Sequence, residues 1–99
     1  MSEWHRVADT DELQEGSMKE VRAGSKVIAL VHHAGAYWAL DSRCPHAGGP
    51  LAEGSIDSGR LVCPWHGREF ELASGQCDGF QGVAAYPVEL RPEGVFVAV

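Results

Sequence analysis

The chain reads as an all-β protein on two observations. No helical period of apolar residues persists over any long stretch, and short runs rich in β-branched and aromatic residues recur at close intervals, separated by Gly, Asp, Ser and Pro. Strands are expected at residues 4–7, 18–21, 26–32, 37–41, 61–63, 68–72, 85–90 and 95–99. The first two are short and mixed, carrying Trp4 and Val7, then Met18 and Val21. The third holds the longest unbroken apolar run, 27–31, and the fourth follows with Tyr37, Trp38 and Leu40. Leu61 and Val62 mark the fifth, and Phe70 and Leu72 alternate with Glu69 and Glu71 in the sixth. Tyr86, Val88 and Leu90 define the seventh, and Val95, Phe96 and Val97 the last. Turn residues fall between them at Ala23-Gly24-Ser25, His33-Ala34-Gly35, Asp57-Ser58-Gly59 and Pro92-Glu93-Gly94, so consecutive hairpins are expected. Residues 9–15 place Asp, Thr and Glu ahead of Leu13 and allow one short helical turn.

At 99 residues the sequence is sized for one domain, with a thin core. The formal charge is -6 with no basic run, which argues against nucleic acid and against an anionic membrane surface. No apolar stretch is long enough to span a bilayer, and no basic leader precedes one, so the expectation is a soluble, cytoplasmic protein. An acidic surface suits docking on a basic patch of a partner protein.

The chemistry concentrates in two runs, Arg43-Cys44-Pro45-His46-Ala47-Gly48 and Cys63-Pro64-Trp65-His66-Gly67. Each offers one thiolate and one imidazole in a turn, where both side chains can face inward toward a metal. Taken alone, these residues leave three chemistries open: an iron-sulfur centre, a structural Cys2His2 zinc site, or a thiol nucleophile with a histidine partner. Common zinc modules pair two cysteines closely and set two histidines three to five residues apart, a spacing not seen here. A lone nucleophile would leave the second Cys/His pair without a role.

The pattern C-x-H followed by C-x-x-H resembles the ligand set of the Rieske family. The flanking runs agree: Gly48-Gly49-Pro50-Leu51, Gly67-Arg68-Glu69-Phe70-Glu71, Ser74-Gly75 and Tyr86-Pro87-Val88. The resemblance implies one [2Fe-2S] cluster, with Cys44 and Cys63 on one iron and His46 and His66 on the other. It implies a Rieske-like antiparallel β-sandwich, one domain over residues 1–99, with a small cluster-binding subdomain at about 42–69.

For function, the resemblance implies a freestanding Rieske-type ferredoxin of a bacterial ring-hydroxylating system. Such a protein is not itself an enzyme; it takes electrons from an NAD(P)H-dependent flavoprotein reductase and passes them to a terminal oxygenase acting on aromatic rings. The alternatives are a small redox subunit of a nitrite-reductase-like enzyme and the zinc module. High-potential Rieske proteins carry a disulfide and two hydroxyl donors at positions that here hold Gly49, Trp65, Arg68 and Phe70, so a reduction potential near the lower end of the family's span is expected.

Supporting roles are expected for Pro45 and Pro64 in fixing the backbone after each cysteine, for Gly48, Gly49 and Gly67 in allowing close approach, and for Trp65 and Leu51 in covering the centre. Gly79-Phe80-Gln81-Gly82 stands where family members often carry a proline-containing covering loop, so the late cover is expected to be either looser or supplied by Phe80. His5, His32 and His33 are expected at surface or edge positions. Cys77 is expected to be a thiol near a turn, without a ligand role.

Overall fold

The computed structural model describes residues 3–45, 48–65 and 67–99. These form ten strands: β1 (Trp4–Ala8), β2 (Met18–Ala23), β3 (Lys26–His33), β4 (Ala36–Asp41), β5 (Ser55–Asp57), β6 (Arg60–Val62), β7 (Glu69–Glu71), β8 (Ala85–Tyr86), β9 (Val88–Arg91) and β10 (Gly94–Ala98). All strand pairings are antiparallel, in three sheets ordered β1-β10-β9, β2-β3-β4-β8 and β5-β6-β7. The all-β class expected from the sequence is the one observed.

β3 explains why the apolar run at 27–31 is continuous rather than alternating. Its side chains alternate between two cores: Ile28 and Leu30 pack with Val21, Ala39, Val95 and Val97, whereas Ala29 and Val31 pack with Leu40, Leu51, Leu61 and Phe70. The central sheet is therefore buried on both faces, between the terminal sheet on one side and the β5-β6-β7 sheet with its loops on the other. A strand covered on both faces has no solvent side to be polar.

The hairpin turns follow their residue chemistry. Ala34 and Gly35 between β3 and β4 have φ of 55° and 74°, and Ser58 and Gly59 between β5 and β6 have 51° and 78°, the two consecutive positive values of a type I′ turn. The Glu15 carboxylate accepts the N–H groups of Ala34 at 2.7 Å and Gly35 at 2.9 Å, and those bonds hold its carboxyl below the usual range.

Four details differ from the sequence expectation. The short helical turn in 9–15 does not form. Asp9 and Glu12 exchange the bonds of a helix start, Asp9 N–H to Glu12 Oε1 at 3.1 Å and Glu12 N–H to Asp9 O at 3.2 Å. The chain then bends at Gly16, φ 84°, whose N–H goes to His32 O at 2.6 Å. The stretch 85–90 splits at Pro87, which cannot donate to a ladder: β8 pairs with β4 and β9 with β10. A strand unforeseen in the sequence, β5, pairs with β6, and a one-turn 3-10 helix, Leu51–Glu53, precedes it.

His32, expected at a surface or edge position, is partly buried within the central sheet. It lies on a strand flanked on both sides; its Nδ1 is 2.8 Å from Leu13 O and its ring stacks on Tyr37 at 4.2 Å between centroids.

Tyr86 and Tyr37 are the two tyrosines of the chain. Burial, then the hydrogen bond its hydroxyl donates to Asp41 Oδ1 at 2.8 Å, pushes the Tyr86 phenol up to about 12, and burial also raises Tyr37. Raised phenol values mean that this stabilisation is complete below pH 10 and is lost as pH rises through about 12 for Tyr86. A spectrophotometric phenolate titration should show no tyrosine ionising with the ordinary midpoint near pH 10 until the protein unfolds; one equivalent of phenolate at that midpoint in folded protein would contradict this packing.

Candidate metal centre

Two loops carry the predicted cysteines, and both close with the same pair of backbone hydrogen bonds. In the first, Cys44 N–H donates to Gly49 O at 2.9 Å and Gly48 N–H returns to Cys44 O at 2.7 Å. In the second, Cys63 N–H donates to Arg68 O at 2.8 Å and Gly67 N–H returns to Cys63 O at 3.1 Å. In each, the residue four places after the cysteine is a glycine at positive φ, 73° for Gly48 and 71° for Gly67. The left-handed conformation closes the loop, and a side chain there would strain it.

A third loop repeats this arrangement without a cysteine. Glu71 N–H donates to Gln76 O at 2.9 Å, Gly75 N–H returns to Glu71 O at 2.7 Å, and Gly75 has φ 76°. The difference lies in the residue at the closing position. Cys44 and Cys63 are 1% and 2% exposed, whereas Glu71 faces solvent.

The first loop is anchored to the central sheet. Ser42 N–H donates to Val27 O at 3.0 Å, its buried hydroxyl donates to Glu20 Oε1 at 3.0 Å, and Leu51 N–H closes back on Ser42 O at 2.6 Å. The second loop connects β6 to β7. Both cysteines belong to the core that also holds Leu51, Leu61, Phe70 and Leu72, so Leu51 packs behind the loops as expected.

Trp65 crosses from the second loop to the first. A methyl group built on Gly49 would stand 3.0 Å from Trp65 Cδ2 and 3.4 Å from Cys63 Sγ, so a side chain there would press the indole outward by a few tenths of an ångström. The indole remains 58% exposed, covering the inter-loop contact on one side and facing solvent on the other.

His46 and His66 lie outside the described residues, and their placement is not part of the geometry above. Cys44, Cys63 and Cys77 carry no disulfide. Among the described residues no three Cys, His, Asp or Glu side chains stand close enough to hold a metal together.

Cys77 lies at a turn, as expected, and its place in the core goes beyond that expectation. It is buried, it belongs to the same core as Cys44 and Cys63, and the turn it opens closes with Phe80 N–H on Cys77 O at 3.0 Å. Burial pushes its thiol pKa up, against the lowering influence of Arg68. The Arg68 guanidinium lies over the Phe80 ring, Cζ 3.5 Å from its centroid, while Phe80 itself is half-exposed. Nothing in the linear neighbourhood of Cys77 signalled this, because contact with the ligand loops comes from the return of the chain after β7.

The donor chemistry fits an iron-sulfur centre. Two buried thiols at equivalent corners of facing loops supply half a ligand set, and the two histidines sit in the same loops by sequence.

Comparison with known proteins bears on the same residues. Human apoptosis-inducing factor 3 is 36% identical over 94 residues, covering 92% of this chain but only 16% of that protein. The chain thus spans about a sixth of that relative's length. Ferredoxin CarAc of Metapseudomonas resinovorans is 29% identical over 101 residues, covering 96% of this chain and 92% of the ferredoxin. Among solved structures, a chain in the complex of reduced oxygenase and oxidized ferredoxin in carbazole 1,9a-dioxygenase aligns with a TM-score of 0.86 at 26% identity, over 96% of this chain and 92% of that one. A putative NADH-dependent nitrite reductase small subunit from Mycobacterium tuberculosis aligns with a TM-score of 0.90 at 25% identity, over 100% and 96%. The description "Rieske [2Fe-2S] domain" matches residues 3–90, which contain both ligand loops and every strand from β1 to β8. With fold, loops and family pattern in agreement, the zinc reading falls away: the chain belongs to the Rieske [2Fe-2S] domain family, whose cofactor is one Rieske-type [2Fe-2S] cluster.

Proposed function

We propose that this chain is a cytoplasmic one-electron carrier, not itself a catalyst, that accepts electrons from an NAD(P)H-dependent flavoprotein reductase and delivers them to a terminal aromatic-ring oxygenase. Cys44 and Cys63 are the proposed ligands of one iron, and His46 and His66 of the other. When bound, the cluster supplies reversible one-electron chemistry. The chain's own residues bury the two thiols, set the loop spacing through Gly49 and Trp65, and seat both loops on the central sheet. Residues 42–69 are the proposed cluster-binding subdomain of a single domain over 1–99. The observation that carries the reading is the near end-to-end match to a ferredoxin, 96% of this chain against 92% of CarAc.

Among the described residues no helix is long and apolar enough to cross a membrane. The formal charge of -6 supports docking on basic partner surfaces.

The test pairs the holoprotein with a candidate flavoprotein reductase and a candidate terminal oxygenase. NAD(P)H with reductase should bleach the visible absorbance of the holoprotein, and the oxidised oxygenase should restore it, with rates falling about tenfold or more as salt rises from low to high ionic strength. Failure of the oxygenase to restore the absorbance would refute the delivery step, and salt-independent rates would refute electrostatic docking.

A second reading, a small redox subunit of a nitrite-reductase-like enzyme, is favoured by the alignment over the whole chain with the mycobacterial small subunit. Stable co-purification with a large reductase subunit, in place of transient turnover, would select it.

A further inference from the structure

Arg68 is held at the edge of the second ligand loop in an unusual electrostatic setting. Its carbonyl oxygen closes the loop on Cys63 N–H, and its guanidinium is stacked on Phe80. Among the described residues its Nε is the one buried side-chain nitrogen or oxygen with no hydrogen-bond partner. It makes no ion pair among them either; the neighbouring Glu69 turns to Arg60 at 3.7 Å. Asp78, next to Cys77, also forms no ion pair with it among those residues.

A half-buried cation with an unsatisfied N–H is costly, and the cost is offset when negative charge and an acceptor stand nearby. The field of Arg68 reaches the Cys77 thiol, which also feels Cys44. The guanidinium lines the same cleft as Cys77, and Cys77 packs in the core that also holds Cys44 and Cys63, where reduction would add one negative charge.

We infer that Arg68 sets the reduction potential: its guanidinium, clamped by Phe80, is the counter-charge that favours the reduced state of the centre between the Cys44 and Cys63 loops. This rests on the iron-sulfur reading above. The electron comes from an external donor, and no proton or bond change at Arg68 is involved. The position also carries consequences for Phe80, whose role becomes to keep the cation out of water, where screening would weaken it.

The experiment is a mediated redox titration of the holoprotein, with dithionite as reductant, following the visible absorbance. Arg68→Gln should lower the equilibrium constant for reduction about tenfold, a fall of about 59 mV for one electron. Arg68→Lys should recover more than half of that fall. Phe80→Leu, which leaves both ligand loops and the charge in place, should shift the constant in the same direction by about threefold as the guanidinium swings into solvent. An Arg68→Gln protein with full iron and sulfide and a midpoint within twofold of wild type would overturn the inference. If Arg68→Gln cannot retain the centre, an unchanged midpoint in Phe80→Leu overturns it instead. A wild-type protein without iron would sink the underlying reading, an outcome distinct from a loaded protein whose midpoint ignores Arg68.

Discussion

His46→Ala and His66→Ala proteins should each emerge nearly devoid of iron and acid-labile sulfide, while His32→Ala should retain wild-type amounts. Both ligand loops close with matching backbone bonds around Cys44 and Cys63, and under the proposed assignment each supplies one thiolate and one imidazole, so neither loop suffices alone. Removing groups that merely support a metal ligand typically costs 10- to 100-fold in affinity, and removing a ligand itself costs more. His32 is tied elsewhere, to Leu13 O and the Tyr37 ring, so its loss should lower stability by about 1 kcal/mol without touching cluster content. Iron and sulfide assays with visible spectra decide the matter. Equal retention in all three variants would remove the ligand assignment.

Gly75→Ala should cost the holoprotein much more stability than Gly16→Ala, although both glycines have positive φ, 76° and 84°. At Gly16 nothing lies within 4 Å of a new methyl group, so the penalty is the left-handed conformation alone, roughly 1–2 kcal/mol. At Gly75 the methyl would stand 2.0 Å from Val83 O, a backbone atom that is itself bound into the loop by Val83 N–H on Gly75 O at 2.8 Å. Relief requires moving the segment that carries Cys77 and Phe80. The added strain should bring the total to about 3–5 kcal/mol, comparable to the larger single-residue effects, and lower Tm by about 12 °C or more at this chain length. Thermal unfolding followed by circular dichroism measures both. Similar shifts for the two variants would show that the 75–83 segment is looser than described.

The same contrast shows what the sequence could disclose. β3 was legible because burial on both faces leaves an unbroken apolar run, and the β3-β4 and β5-β6 turns because Ala34-Gly35 and Ser58-Gly59 suit two consecutive positive φ values. β5 was not, since only Ile56 among its three residues is apolar and its pairing with β6 is set by the turn. The division at Pro87 was hidden for a different reason: the apolar pattern runs straight through it, while the missing N–H lets the chain change sheets. At the metal centre, Cys44, His46, Cys63 and His66 stood out as local motifs. The convergence of Arg68, Phe80 and Cys77 did not, because it depends on the return of the chain after β7. Capping chemistry at Asp9 and Glu12 gave a true local signal with no helix behind it; the bend at Gly16 stops propagation after a single turn's worth of bonds.

The central claim, that two histidines and two cysteines of this chain hold one [2Fe-2S] cluster, is tested most directly by pulsed electron paramagnetic resonance of the dithionite-reduced protein, prepared with and without 15N-labelled histidine. The reduced cluster has an unpaired electron, and an imidazole bound to its iron must couple to that electron through the ligating nitrogen. The account predicts two histidine nitrogen couplings that change on labelling, one of which disappears in any His46→Gln or His66→Gln protein that still retains a cluster. A paramagnetic cluster whose spectrum is indifferent to the histidine label, as four thiolate ligands would give, would contradict it.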